Sequence, residues 1–265
     1  MDAFSTIRVV RNEGVTRVIL NRPAVRNAFN DVMIRELRQV FSAMKTDSDL
    51  RVVVLTGEGS AFCAGADLNW MGQVLENNYE QNLADSNELS YMLREIFDFP
   101  RPVIGRINGP AIGGGTGLTA VTDIAIASEE ALFSFSEVKL GLVPACISPY
   151  VVKRVGERCA REYFITGERL SAGAAAACGL VNRVVPRVEL DRTVNELIGA
   201  LLSSGPQAVA TCKRMVREVA AMSLDDAGPY TAKIITDLRM SAEGQEGMRA
   251  FLDRRPPAWA GKPRV

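Results

Sequence analysis

The chain has 265 residues, 47% of them hydrophobic, enough to bury a sizeable core as one large domain or one domain with an appendage. Lys+Arg and Asp+Glu both number 31, so the net charge is zero, and no run of basic residues recommends a nucleic-acid partner. There is no histidine, which excludes Ser-His-Asp and Cys-His nucleophile systems, H-E-x-x-H metal sites and any imidazole general base. Proton transfer in an enzyme of this composition falls to carboxylate, lysine, tyrosine or cysteine.

Taken in order, residues 7–10 and 15–20 alternate as strands around the turn signal Asn12-Glu13-Gly14, and Asn21-Arg22-Pro23 breaks the second. Asn30 is placed to cap a helix whose apolar positions Met33, Ile34, Leu37, Val40, Phe41 and Met44 keep 3–4 spacing. A strand over residues 52–55 follows, so the pattern is strand-helix-strand and predicts an α/β fold with a parallel sheet. Residues 73–99 are polar first and amphipathic later, and read as a loosely held segment leading into a helix that stops at Pro100. Further short strands are predicted at 103–107, 124–127, 131–135 and 180–184, and helices at 147–155 and 158–165. The tail is helical near 190–203, 207–221, 230–240 and 243–253, punctuated by Gly205-Pro206 and Gly228-Pro229. Domain organisation is therefore expected as a core over 1–200 and a helical region over 201–265 that packs on the core and on neighbouring subunits.

No apolar signal core opens the chain, and no stretch approaches about 18 apolar residues, so a cytoplasmic protein without membrane contact is expected. The five cysteines (Cys63, Cys146, Cys159, Cys178, Cys212) are scattered and form no C-x-x-C, which reads as buried, reduced thiols with no metal site.

Two stretches carry chemistry. After the 103–107 strand comes Asn108-Gly109-Pro110, then Gly113, Gly114, Gly115 and Gly117 ahead of the apolar run 118–121. A strand, a glycine-dense turn and a helix start leave backbone N–H groups unpaired at the positive end of a helix dipole, ready for an anion or a developing oxyanion. A tight turn needing positive φ would use the same residue type. The 52–55 strand ends similarly, in Gly57-Glu58-Gly59-Ser60 and the small-residue run Ala61-Phe62-Cys63-Ala64-Gly65-Ala66-Asp67. Two strand-to-helix turns, each offering an N–H, are what an oxyanion hole requires. The glycine stretch does not spell G-x-G-x-x-G, because Leu118 stands where the third glycine belongs, and there is no phosphate-binding G-x-x-x-x-G-K-[ST] and no G-x-S-x-G elbow.

With both turns in view the sequence resembles the crotonase, or enoyl-CoA hydratase/isomerase, superfamily. The resemblance rests on Asn21-Arg22-Pro23 with Asn27-Ala28, residues 61–68, Asn108-Gly109 through Leu118, Asp123-Ile124, Ser136-Glu137-Val138 with Gly141-Leu142-Val143-Pro144, and Thr166-Gly167-Glu168 with Gly179-Leu180-Val181. It implies the crotonase fold, a spiral of ββα units with a C-terminal helical region. It implies an acyl-CoA thioester as substrate, with no separate cofactor because coenzyme A is part of that substrate, and a homotrimer or hexamer. It implies an oxyanion hole from the N–H groups of Ala66 and Gly114. Main-chain groups over 64–68 (Ala64, Ala66, Asp67, Leu68), with Arg26 and Ala28, would hold coenzyme A, and Phe251 and Arg254 match positions that reach it near the C-terminus.

Typical hydratases of the family set two glutamates around one water. The second is present as Glu137; the position of the first is Gly117. On its own, Glu137 reads either as a surface carboxylate at a helix start or as a desolvated one among Phe135 and Val138. The 66–71 run, Gly117, and 137–145 resemble bacterial hydratases of branched enoyl-CoAs such as 3-methylglutaconyl-CoA, which would place the chain in leucine degradation or fatty acid metabolism. The expected reaction is hydration or dehydration between a 2-enoyl-CoA and a 3-hydroxyacyl-CoA by one glutamate. The alternatives are a Δ3–Δ2 enoyl-CoA isomerase, and a non-catalytic thioester- or RNA-associated binding protein of the same fold.

Overall fold

The computed structural model describes residues 4–260. The chain opens with strands β1 (Ile7–Asn12) and β2 (Val15–Leu20), helix α1 (Asp31–Met44), β3 (Val52–Gly57), α2 (Leu68–Glu76) and α3 (Tyr79–Phe97). It continues through β4 (Val103–Ile107), β5 (Ala111–Ile112), α4 (Gly114–Ala120), β6 (Ile124–Ser128) and β7 (Leu132–Ser134). After α5 (Ser148–Thr166), β8 (Arg169–Ser171), α6 (Ala172–Ala177) and β9 (Arg183–Val185) come four helices, α7 (Leu190–Leu202), α8 (Pro206–Val219), α9 (Leu224–Met240) and α10 (Ala242–Leu252). Contacts divide these residues into two compact units: the chain up to Phe99 with Val103–Val194, and Pro100–Pro102 with the chain from Asn195 on.

In the first unit, β1 and β2 form a hairpin closed by Glu13 and Gly14, both at positive φ (44° and 79°), as tight hairpin turns demand. The main sheet has the order β1-β2-β3-β4-β6-β9, and every pair beyond the hairpin is parallel. Parallel strands are covered on both faces, which is why Val52-Val53-Val54-Leu55 is apolar at every position and wholly buried. A smaller sheet holds β5, β7 and β8. Asn30 caps α1 through its side chain, which accepts from the Met33 N–H, and the six apolar residues of the 3–4 pattern are all buried. Each such burial is worth about 1.5–3 kcal/mol. Phe41 of α1 meets Phe99 edge-on, with ring centroids 5.3 Å apart.

Several elements differ from the sequence expectation, each for a local reason. The segment expected to be loosely held is helical in α2 and throughout α3. Asn78 and Gln81 form a capping box at the start of α3, and Arg38 of α1 pairs with Glu88 and Glu95 on its polar face. The two helices expected at 147–165 are the halves of α5, which breaks at Gly156 (φ 76°). Helix α4 begins at the glycine triplet rather than near Leu118. The last strand is Arg183–Val185, because Leu180 and Val181 are used to cap α6, donating their N–H groups to Ala175 O after Gly179 turns at φ 83°. Strand β8 and helix α6 had no counterpart in the sequence reading.

In the second unit, α9 begins six residues before the predicted start at 230, because the Ser223 side chain caps it. Pro229 lies inside it and forfeits one intrahelical bond, the one to Asp225 O. Glu243 accepts from the N–H groups of Gln207 and Ala208, both at 2.8 Å, and so caps the N-terminus of α8 with a charge its dipole favours.

Candidate active site

In a parallel sheet the loops at the carboxyl ends of the strands are free to carry function. Here β3 delivers residues 58–67 and β4 delivers residues 108–113. Two buried asparagines fasten the first loop. Asn27 donates to Glu58 O and Ala61 O, both at 2.9 Å, and accepts from Arg22 N–H. Asn108 donates to Gly59 O (3.0 Å) and Ala61 O (3.2 Å), and accepts from Gly57 N–H. The sequence matches at Asn27 and Asn108 are therefore scaffolding for the small-residue loop.

Phe29 sets the orientation of Ala66. Its N–H donates to Gly65 O (2.8 Å) and its carbonyl accepts from Asp67 N–H (2.9 Å), which makes a parallel bridge with Ala66. In such a bridge the central residue turns its own N–H the other way. The ring of the same Phe29 lies against Gly114: a Cβ there would stand 2.2 Å from Cζ. Gly114 opens α4, where an N–H has no intrahelical acceptor. The Ala66 and Gly114 N–H groups have no acceptor among the described residues, and both residues are partly accessible while Gly65, Gly113 and Gly115 are buried.

The glycines divide between the two readings of the sequence. Only Gly113 has a positive φ, 54°. Gly114, Gly115 and Gly117 are small because the protein itself occupies the place of a side chain: Phe29, the Cys63 carbonyl (2.2 Å from a Cβ) and Ile147 (2.1 Å) respectively.

Glu137 sits in a 3-10 turn, Ser136–Leu140, that follows β7 and ends at Gly141 (φ 73°). The turn is placed by the smaller sheet, where Gly113 N–H donates to Ser134 O (2.8 Å) and Thr116 Oγ1 donates to Ala111 O (2.7 Å). The carboxylate faces Gly113, with Oε1 3.1 Å from where a Cβ on that residue would be. Oε2 is buried with no hydrogen-bond partner among the described residues. Burial raises the Glu137 pKa above its ordinary value. The group is therefore the desolvated carboxylate of the two sequence readings, adjacent in the chain fold to Gly114 and, through Phe29, to Ala66.

The remaining candidates are distributed as follows. Asp67 is buried and caps α2, accepting from Asn69 N–H (2.8 Å) and pairing with Arg22 (2.8 Å). Burial pushes its pKa up, but the Asn69 N–H, the Arg22 guanidinium and the Trp70 N–H outweigh that and hold it below the ordinary value. Its side chain is thus committed to the fold. The Ala28 carbonyl accepts from Arg22, and the Ala64 N–H donates to Arg26 O (3.0 Å). Arg26 itself is exposed at φ 52°, and Leu68 is 82% exposed. Phe251, at the end of α10, and Arg254, at φ 55°, are exposed in the second unit. Cys63 is buried and its thiol is pushed up to about 12 by desolvation, so it is inert as a nucleophile. Among the described residues no group of three or more His, Cys, Asp or Glu could hold a metal ion.

Sequence reasoning missed Phe29 and Ile147 and the role of Arg22; all three position the site without entering it. Arg22 lies in the Asn21-Arg22-Pro23 match and Phe29 follows Asn27-Ala28, and their roles follow from contacts 36 or more residues away in the chain, which no local pattern encodes.

A family model described as enoyl-CoA hydratase/isomerase matches residues 10–262. The chain belongs to the enoyl-CoA hydratase/isomerase family. Its fold is the crotonase fold: the crystal structure of an enoyl-CoA hydratase from Shewanella pealeana superposes with a TM-score of 0.93 at 40% identity, covering 97% of this chain and 96% of that one. Curated relatives include a 2,3-dehydroadipyl-CoA hydratase of Escherichia coli (30% identical, 98% of this chain and 100% of that one). A carnitinyl-CoA dehydratase of Proteus mirabilis is 33% identical over 97% of this chain and 99% of its own length.

Proposed function

We propose that this protein interconverts a 2-enoyl-CoA and a 3-hydroxyacyl-CoA, with Glu137 as the proton carrier and the N–H groups of Ala66 and Gly114 as the oxyanion hole. The observation that carries the reading is the desolvated Glu137 carboxylate, its Oε2 without a partner, facing the glycine triplet beside those two N–H groups. The thioester carbonyl would accept from both N–H groups, which stabilises the negative charge that develops on its oxygen. Glu137, ionised, takes a proton from water as the hydroxyl adds at Cβ, and returns that proton to Cα as the enolate collapses. Both hydrogens and the oxygen of one water end in the product, and the glutamate is regenerated.

In this reading Ala64, Ala66 and Leu68 offer main-chain groups to coenzyme A, with Ala28 beside them and Arg26 near its phosphates. Asp67 serves by capping α2, and Phe251 and Arg254 of a neighbouring subunit are proposed to reach the coenzyme A end of the substrate. The acyl chain proposed is branched with a distal carboxylate, as in 3-methylglutaconyl-CoA. Support comes from the likeness of residues 137–145 to such hydratases, and from a relative named for another distal-carboxylate substrate. A homotrimer or hexamer in the cytoplasm is proposed with it. In support, the second unit carries an apolar groove of about 540 Å³ lined by Met215, Ile234, Ile235 and Leu238.

A Δ3–Δ2 isomerase is the second reading, favoured by one observation: Glu137 stands alone, and the place of a second carboxylate is filled by Ile147. The two readings separate in heavy-oxygen water with a panel of 2- and 3-enoyl-CoAs. Hydration gives a labelled 3-hydroxyacyl-CoA, most readily from the branched substrate; shifted double bonds without labelled alcohol would replace the hydratase reading by the isomerase one.

A further inference from the structure

The position where the resemblance puts the missing glutamate is closed as well as empty. A Cβ on Gly117 would stand 2.1 Å from Ile147 Cγ2 and 2.7 Å from Ile147 Cβ, whereas real Cβ atoms essentially never come within 3.0 Å of a neighbour. Rotating the Ile147 side chain moves Cγ2 but not Cβ, which is fixed to the backbone. Any residue other than glycine at 147 therefore keeps a Cβ in the way, and a side chain at 117 requires glycine at 147 or a shift of the backbone. That backbone is held on two sides. Ile147 is buried at the start of α5, and α5 packs against both α4 and the 3-10 turn that carries Glu137. Val151 N–H bonds back to Ile147 O at 3.1 Å. Gly117 N–H in turn bonds to Gly113 O at 3.1 Å, so Gly117 lies one helical turn beyond the residue that faces the Glu137 carboxylate.

We propose that Ile147 is a specificity-determining residue: positions 117 and 147 share room for one side chain, and the isoleucine, by taking it, keeps Glu137 the sole carboxylate at the bound thioester. This rests on the enoyl-CoA reading of the site. The consequence for substrate class is that straight-chain enoyl-CoAs, which bring no carboxylate of their own in place of the one excluded at 117, are poor substrates. Exchanging the pair, rather than adding a glutamate alone, converts the site to two carboxylates.

Four proteins test this: wild type, Gly117→Glu, Ile147→Gly and the double variant, with melting temperature and crotonyl-CoA hydration as readouts. Gly117→Glu is expected to melt roughly 5 °C or more below wild type, the scale of an overpacked core, with no gain in hydration. Ile147→Gly melts lower as well, through the cavity it leaves. The double variant is expected to melt above both single variants. It should raise kcat/KM for crotonyl-CoA by about tenfold or more and add a second ionisation to the pH–rate profile. The milder pair Gly117→Ala, alone and with Ile147→Gly, repeats the coupling with a single methyl. A Gly117→Glu protein as stable as wild type, or a double variant less stable than both singles, overturns the shared-room assignment. A double variant that is well folded but hydrates crotonyl-CoA no faster, with an unchanged pH profile, overturns the role in specificity. The melting comparison uses no substrate, so it stands or falls separately from the enoyl-CoA reading, which is judged by whether hydration in each background is lost with Glu137→Gln.

Discussion

The floor of the candidate site, residues 57–66 and 108–117, is mostly buried and latched by asparagine side chains, whereas its rim is exposed and apolar. Leu68 and Leu75 of α2 are more than four-fifths exposed, no residue of α2 is buried, and Leu142 and Val143 are exposed beyond Glu137. The two parts adjoin along the chain. Leu68 follows Asp67 directly, and Leu142 N–H donates to the Glu137 carbonyl at 3.1 Å. The difference divides the work. An oxyanion hole and a proton carrier need positions fixed within a fraction of an ångström, which burial and multiple hydrogen bonds provide. A wall for an acyl chain needs apolar area and tolerates looser placement.

The largest expected effect falls on the floor. Glu137→Gln should lower turnover by roughly 10²–10⁴-fold with acyl-CoA affinity retained, because glutamine keeps shape and hydrogen bonding but carries no proton. The same change should raise the melting temperature at neutral pH. The folded-state pKa of Glu137 lies above its ordinary 4.5. The native state therefore holds the proton more tightly, and its stability falls as pH climbs from 4.5 through the raised value. The difference between the variants should be absent well below pH 4.5 and full above the folded pKa, as thermal melts across pH would show. By the same sign, kcat/KM rises with pH through the raised pKa, since the base must be ionised. A Gln variant within threefold of wild type would move the chemistry elsewhere.

Next in size is the latch between Arg22 and Asp67. Arg22→Met leaves a buried carboxylate without its cation and should cost about 3 kcal/mol. Asp67 titrates below its ordinary 3.8, so the stability it contributes is present above 3.8 and lost as pH falls through the lowered value. Wild type should therefore lose its advantage over the variant in acid melts. An advantage that persists there would mean Arg22 acts by packing alone.

The sequence disclosed the floor better than the latches. Glycine at 113–115 and 117 announced close approach, and the two N–H positions followed from the family pattern, because backbone demands restrict residue type locally. What approaches was not legible: the Phe29 ring, the Cys63 carbonyl and Ile147 come from 30 to 85 residues away, and any of several side chains could have filled those spaces. The 3–4 pattern of α1 was readable because its burial is one-sided. The first half of α3 was missed because its helix rests on a capping box and on ion pairs to Arg38, which leave no apolar period. For Glu137, the family resemblance gave the position, and only burial decided between a surface acid and a desolvated one.

A moderate effect tests whether the loop after β3 is rigid by design. Gly109→Ala places a Cβ 2.1 Å from Ser60 O, a backbone atom with no rotamer to change. The expected loss is about 1–3 kcal/mol in denaturant melts, with a drop in turnover as the 57–66 loop shifts. Loss of stability with unchanged turnover would show that the floor tolerates displacement, and would weaken the contrast with the rim.

The smallest effect belongs to the rim. Val143 is 70% exposed and follows Leu142, the residue bonded to the Glu137 carbonyl. Val143→Ser removes apolar area that touches little in the folded chain, so stability should stay within about 0.5 kcal/mol of wild type. If the rim is the acyl wall, the same loss of area acts on the complex: KM should rise several-fold with kcat nearly constant, the signature of binding lost equally from ground and transition states. A steady-state series with acyl chains of increasing length sharpens this, because the penalty should grow with chain length only where the chain reaches Val143. A fall in kcat at constant KM would instead show that residue 143 helps hold the Glu137 turn, and would move it from the rim to the floor.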